Sequence, residues 1–134
     1  MDIAKLKFLV IDDSAMVCEH IERQLKELGA SRVEKAENGR QALLKITNAA
    51  ADSMPYALIT LDWEMPEMSG LELLKNIRSN KTLKKLPVLM ITSRATTQDL
   101  QQLIPLQPNG FIVKPFTDSV FKNKVLDLLL AMPA

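Results

Sequence analysis

Five polar residues in this chain stand at the ends of short apolar runs. Asp12 and Asp13 follow Phe8–Ile11, and Asp62 follows Ala57–Leu61. Thr92, with Ser93 after it, follows Val88–Ile91, and Lys114, with Pro115 after it, follows Phe111–Val113. These groups suit one kind of chemistry if they share a rim. Crowded carboxylates repel, and a hard divalent cation that prefers oxygen ligands relieves the repulsion. Mg²⁺ fits a site that offers a few carboxylates and leaves it several waters. Charge on an incoming phosphoryl group would be neutralised by such an ion and by the fixed charge of Lys114, and the Thr92 hydroxyl would donate to a further phosphoryl oxygen. Asp62, flanked by these groups, is then the natural nucleophile, giving an acyl phosphate.

The apolar runs must bring these residues together. Each is too short for a helix and almost continuous in hydrophobicity, which reads as a strand covered on both faces. A fifth run, Arg32–Ala36, alternates more and suits an edge strand. Helical patterns lie between them. Val17, Ile21, Leu25 and Leu28 share one face, and Gly29 marks a stop. Asn38 with Gln41, and Ser69 with Glu72, stand at capping-box spacing before two further helices, the latter carrying Leu71, Leu74 and Ile77. A fourth helix begins near Thr96 and Thr97 and carries Leu100, Leu103 and Ile104. A fifth begins at Thr117 with Phe121, Val125, Leu128 and Met132 on one face. Strand and helix thus alternate five times, which predicts an α/β three-layer sandwich around a parallel five-stranded sheet with right-handed crossovers. Sites in such sheets lie beyond the carboxyl ends of the strands, where all five polar positions fall. The segment 48–55, NAAADSMP, reads as a surface loop.

Length and composition narrow the function. At 134 residues and 47% apolar, one domain spanning 1–134 with its own core is expected. Lys and Arg number 17 against 16 Asp and Glu, a balance that lacks the basic excess of a nucleic-acid binder. Cys18 is the only cysteine, so no internal disulfide can form, which fits a reducing compartment. Met1–Lys5 has no signal-peptide character, and no apolar run is long enough to span a membrane. A cytoplasmic protein is the expectation.

The strings VIDDS, LDWEMPEMSGLELL, VLMITS and GFIVKPF occur in order, each at a strand end. With Asp12, Asp13, Asp62, Thr92 and Lys114-Pro115, they resemble the response-regulator receiver family, the single-domain CheY-like proteins, over essentially the whole chain. The resemblance implies a flavodoxin-like (βα)5 fold with strand order 2-1-3-4-5. It implies that Asp62 is the phosphoacceptor, with a histidine kinase as phosphodonor. Mg²⁺ would be held by Asp13, Asp62 and the backbone carbonyl of Glu64, with Asp12 acting through water. Lys114 would contact the phosphoryl group, Thr92 would move toward it, and Phe111 would swing inward as the switch aromatic. Phosphorylation would bias a two-state equilibrium and alter the face of helix 4, strand 5 and helix 5, which binds a protein target. The protein would be a monomer or a weak phosphorylation-linked dimer, a signalling switch without turnover of an external substrate. The Asp-Trp-x-Met-Pro string is similar to chemotaxis regulators.

Several positions depart from the pattern or stand beside it. Glu64 and Arg94 lie two residues after Asp62 and Thr92, so they flank the site and could pair across its mouth to tune the lifetime of the phosphoaspartate. Pro105 should end the fourth helix, and Pro108 should press Gln107 toward an extended shape where the family often has glycine. Leu126 and Leu130 point away from the last helix's apolar face and could form a contact site. His20, without partner ligands, reads as a surface residue and Cys18 as packing. Lys81, Lys84 and Lys85 read as a solvated loop, and Met65 and Met68 as a cover for the core rim. Trp63 adjoins the phosphoacceptor. Other readings are a receiver cut from a larger regulator, a flavin-binding flavodoxin-like module, an aspartyl-phosphate phosphatase, and a receiver-like domain that no longer accepts phosphate. A flavin module would need a Ser/Thr/Gly-rich phosphate loop where Asp12 and Asp13 stand. A phosphatase would need a second aspartate where Glu64 stands.

Overall fold

A computed structural model describes residues 2–132. Strands and helices alternate as β1 (Lys7–Ile11), α1 (Ala15–Glu27), β2 (Arg32–Ala36), α2 (Gly39–Ala51), β3 (Leu58–Asp62), α3 (Gly70–Ser79), β4 (Val88–Thr92), α4 (Thr97–Leu103), β5 (Gly110–Val113) and α5 (Asp118–Leu130). All strand pairings are parallel, in the order β2-β1-β3-β4-β5. This is the parallel three-layer sandwich that the alternation of elements predicts, in the flavodoxin-like strand order that the resemblance implies.

The period-two geometry of strands divides the core into two layers. Leu9 and Ile11 of β1, Ile59 and Leu61 of β3, and Val88 and Met90 of β4 pack with Ala42 and Ile46 of α2 and Leu73, Leu74 and Ile77 of α3. Phe8 and Val10, Leu58, Leu89 and Ile91 face the other way, onto Ile21 and Leu25 of α1 and Phe121, Val125 and Leu129 of α5. Central strands are buried throughout because helices cover both of their faces. On edge strand β2 only Ala36 is buried.

Local sequence expectations fail where tertiary packing intervenes. Helix α2 runs to Ala51, so only the later part of the 48–55 segment is loop; Ala49, 3% exposed, keeps the helix on the core. Helix α4 stops at Leu103, and Ile104–Leu106 continue as a 3₁₀ turn around Pro105, leaving Ile104 exposed instead of in the core. In α5 the fully buried third position is Leu129, while Leu128 is only partly covered. Gln107 is left-handed (φ 54°, ψ 56°), not extended. Its carbonyl accepts from Nε and Nη2 of Arg78, and its N–H donates to the Ile104 carbonyl, which together hold the turn. The second helix is capped by Asn38, but Gln41 reaches back to the Glu37 N–H, one residue short of a closed capping box. A complete box forms instead at Thr96 and Asp99.

Candidate functional site

The parallel register brings the carboxyl ends of β1, β3, β4 and β5 to one rim. Asp62 closes β3 and Thr92 closes β4, while Asp12 and Lys114 follow directly on β1 and β5. Three turns then set the side chains. After β1, the Asp12 carboxylate accepts the Ser14 N–H at 2.9 Å, and Ser14 caps α1 by accepting from the Val17 N–H. The N-cap of α1 therefore belongs to Ser14, and Asp13 stays exposed. After β3, the Gly70 N–H donates to the Trp63 carbonyl at 2.8 Å, folding the chain back into α3. After β5, the Lys114–Pro115 peptide is cis and the Lys114 N–H bonds the Thr92 carbonyl at 2.8 Å.

Carboxylate oxygens of Asp12, Asp13 and Asp62 come within 4.8 Å of one another. Lys114 Nζ lies 3.1 Å from Asp62 Oδ1 and 3.4 Å from Asp12 Oδ2. Burial pushes the Asp62 carboxyl up, the Asp12 charge adds to this, and Lys114 opposes it. Burial likewise raises Asp12, against the Ser14 N–H and Lys114. Lys114 loses solvation too, yet the charges of Asp12 and Asp62 outweigh that loss and hold its ammonium above the usual range. One ammonium facing two buried carboxylates and an exposed third leaves excess negative charge lined by hard oxygens. That donor set fits a hard divalent cation such as Mg²⁺.

Thr92 is fully buried, and its hydroxyl accepts the Arg94 N–H at 2.8 Å, away from Asp62's own ion pair. Phe111 is half-buried on β5, against the α2–α3 layer. Glu64 is exposed. It shares a shallow cleft with Asp13, Trp63 and Arg94, but the expected Glu64–Arg94 pair does not form. Arg94 turns instead to Asp99, 3.0 Å from Nη2 to Oδ1, and lies 4.6 Å over the Trp63 ring. A nearly buried carboxylate and an aromatic face together outcompete an exposed glutamate for the guanidinium.

A family model described as response regulator receiver domain matches residues 8–126. The chain belongs to the response regulator receiver family. Among relatives of this receiver, the chemotaxis protein CheY1 of Helicobacter pylori is 41% identical over 120 residues, covering 90% of this chain and 94% of the relative. Chemotaxis protein CheY-3 of Vibrio cholerae is 37% identical over 120 residues, covering 90% and 88%. The solved structure of Vibrio cholerae CheY4 superposes with a TM-score of 0.81 at 29% identity, covering 92% of this chain and 98% of that one. A CheX–CheY–BeF3–Mg complex from Borrelia burgdorferi superposes with a TM-score of 0.82 at 25% identity, covering 92% and 88%.

Three residues that shape the receiver site escape a reading by residue type. Gly70 carries no functional group, and its signal is only a glycine at the first position of a helix. Ser14 is hidden behind the acidic pair it follows. Asp99 is one acidic residue in the first turn of α4, and nothing local shows that it holds Arg94. The remaining flagged residues are peripheral. His20 is exposed, 3.2 Å from Asp118. Buried Cys18 packs on α1, its thiol pushed up to about 11 by loss of solvation. Lys81, Lys84 and Lys85 are exposed, Met65 is in the core and Met68 packs on its edge. Leu126 is half-buried, so of that pair only Leu130, at 74% exposure, stands free. Among the described residues no helix is long and apolar enough to cross a membrane.

Proposed function

We propose that this receiver is a single-domain signalling switch over residues 1–134, phosphorylated on Asp62 by a phosphohistidine of a histidine kinase. The observation that carries the reading is the ammonium of Lys114 lying between the buried carboxylates of Asp12 and Asp62. An oxygen of Asp62 attacks phosphorus, a P–O bond forms, the P–N bond to the donor histidine breaks, and the imidazole leaves with the electron pair. Asp12 and Asp62 together hold Lys114 charged, and Lys114 moves its contact from Asp62 to an oxygen of the transferred group. Thr92 turns from the Arg94 N–H, and its hydroxyl donates a hydrogen bond to another phosphoryl oxygen. Mg²⁺, when held by Asp13, Asp62 and the Glu64 carbonyl with Asp12 behind water, supplies further neutralisation of phosphoryl charge. The CheX–CheY complex from Borrelia burgdorferi, solved with BeF3 and Mg, supports this reading.

Thr92 and Phe111 then carry the change to the face of α4, β5 and α5, where a protein target binds, in a cytoplasmic system of the chemotaxis type. Exposed apolar side chains on β5 and α5, Val113 and Val120, and Ile104 in the turn after α4 supply contact area. The switch turns over no external substrate. Intact mass after incubation with acetyl phosphate and Mg²⁺ tests the reading, with Asp62→Asn as control and Trp63 fluorescence followed in parallel. One added phosphoryl group, lost without Mg²⁺ and in the control, is expected. No added mass, together with no response to beryllofluoride and Mg²⁺, refutes it.

A further inference from the structure

Arg94 joins Trp63, Asp99 and Thr92 through its side chain and backbone, in addition to the backbone bonds that pair β3 with β4 and carry the Trp63 N–H to the Ile91 carbonyl. Trp63, next to Asp62, is 2% exposed and forms a fixed wall. The Arg94 guanidinium stacks 4.6 Å from the centre of its ring. Nε and Nη2 of Arg94 both donate to Asp99 Oδ1, at 3.2 and 3.0 Å. Asp99 lies in the first turn of α4 and is only 8% exposed. Its second oxygen accepts the Thr96 N–H at 3.2 Å, and its own N–H donates to Thr96 Oγ1 at 3.1 Å, so it cannot turn away without uncapping α4. The Arg94 N–H donates to Thr92 Oγ1 at 2.8 Å. That bond belongs to the Arg94 backbone, so anchoring the Arg94 side chain on Asp99 and Trp63 bears on the Thr92 hydroxyl by limiting movement of the turn from Thr92 to Arg94.

We propose that Arg94 is a positioning residue: held by Asp99 against Trp63, it ties the first turn of α4 to the strand end that bears Asp62 and restrains Thr92 from turning toward that carboxylate. The second half of this inference rests on the phosphoacceptor reading given above. Helix α4 needs such a tie. It has seven residues, and only Asp99 and Leu103 on it are buried, so little apolar area anchors its first turn. A simple capping role explains the bonds between Asp99 and Thr96. It explains neither the two bonds from Arg94 nor the stacking on Trp63. The tie is also breakable: the Arg94 side chain is 40% exposed, and an ion pair with one wet partner is weak enough to yield when Thr92 moves. Lysine could not replace it, because an ammonium lacks the planar fork that stacks on the indole while pairing with the carboxylate.

The test uses the full chain as wild type, Arg94→Ala, Arg94→Lys, Asp99→Asn and the Arg94→Ala/Asp99→Asn double variant. The midpoint of a beryllofluoride titration with saturating Mg²⁺ is read from Trp63 fluorescence. Hydrogen exchange of the α4 amides is read without either ligand. Each single variant, Arg94→Lys included, is expected to lower the midpoint about three- to tenfold, the scale of one partly exposed ion pair plus one cation–π contact. Exchange in the first turn of α4 should speed up by a similar factor, and the double variant should go no further than either single one. Midpoints within about twofold of wild type with unchanged exchange would overturn the proposal, as would additive effects, since a shared tie can be broken only once. If wild type gives no response to beryllofluoride and Mg²⁺, the phosphoacceptor reading fails and the restraint on Thr92 fails with it. The tie of α4 to Trp63 is then decided by the exchange rates alone. Thermal melts of each variant separate loss of the tie from loss of the fold.

Discussion

Replacing Gly70 with alanine should damage both the fold and the phosphoacceptor. Gly70 opens α3 and donates its N–H to the Trp63 carbonyl at 2.8 Å. A Cβ at this position would overlap the Asp62 carbonyl oxygen and lie 2.9 Å from both the Asp62 carbonyl carbon and Trp63 Cα. All three atoms are backbone, so no rotamer change can relieve the clash. The strand end or the helix start must shift instead. Overpacking of this kind costs about 1–3 kcal/mol where side chains can adjust, and rigid neighbours place this site at the upper end, about 3 kcal/mol. The helix propensity gained from alanine, at most about 1 kcal/mol, leaves a net loss of about 2 kcal/mol. For a chain of this length that lowers Tm by roughly 6–10 °C. Misplacement of the reacting carboxylate should also slow phosphorylation by acetyl phosphate, by about tenfold or more. Gly39→Ala is the control. Its Cβ would meet Met68, 2.8 Å from Sδ and 2.9 Å from Cβ; the thioether can move aside but the Met68 Cβ must shift with its loop, so the loss should be smaller than at Gly70, about 1 kcal/mol. Urea denaturation, differential scanning calorimetry and intact-mass time courses read these effects. A Gly70→Ala protein that melts within about 2 °C of wild type and is phosphorylated at the wild-type rate would refute the close-approach argument.

Three further substitutions probe the site and its support. Burial first, and then Asp12, raise the Asp62 carboxyl, so between its ordinary and raised pKa the native state holds a proton that the unfolded chain releases. Stability therefore falls as pH rises through that window, and the cost is fully present above it. In metal-free buffer at pH 7, Asp62→Asn should melt above wild type, with the gap closing toward acid pH; a lower melting point would contradict the assigned electrostatics. Arg78 donates to the carbonyls of Lys84, Leu86, Leu106 and Gln107 and to Asn109 Oδ1, joining the end of α3 to both segments that precede β4 and β5. Arg78→Ala should cost about 3 kcal/mol in urea denaturation and Arg78→Lys should recover only part, since one ammonium cannot span that fork. Gln107→Gly relieves about 1–2 kcal/mol of left-handed strain at φ 54° against about 0.4–1 kcal/mol of added freedom in the unfolded chain, so a net gain of about 0.5–1 kcal/mol is expected, measured the same way; no gain would show that the strain does not exceed that entropy.

Much of the architecture follows from patterns that a linear reading can register. Buried parallel strands must be apolar on both faces, so Leu58–Leu61 and Val88–Ile91 announce themselves as short unbroken runs. Helices between them follow from residues spaced to share a face, as Ile21 and Leu25 do. Strand order converts the ends of the runs into a rim, and the rim collects Asp12, Asp62, Thr92 and Lys114. Element ends are less legible, because they depend on what each end meets. Ala49 extends α2 because it finds core to cover, and Ile104 is excluded from α4's buried face because Pro105 turns the chain.

Residue types and their order therefore determined which strands form, how they are covered, and which carboxylates and lysine meet at their carboxyl ends. Those facts rest on burial, which leaves unbroken apolar runs in covered strands and a fixed spacing of apolar residues in helices, and on the alternation that makes the strands parallel. Only the tertiary structure decided which charge each flanking side chain chooses. Arg94 stands two residues from Thr92, as Glu64 does from Asp62, and their signs invite a pair. The guanidinium goes instead to Asp99 and Trp63, since a nearly buried carboxylate and an indole face are within reach at once while Glu64 stays in water. Gly70 is silent for a related reason. Its importance lies in an approach between two backbones, and a missing side chain leaves no chemical sign of what it lets come close.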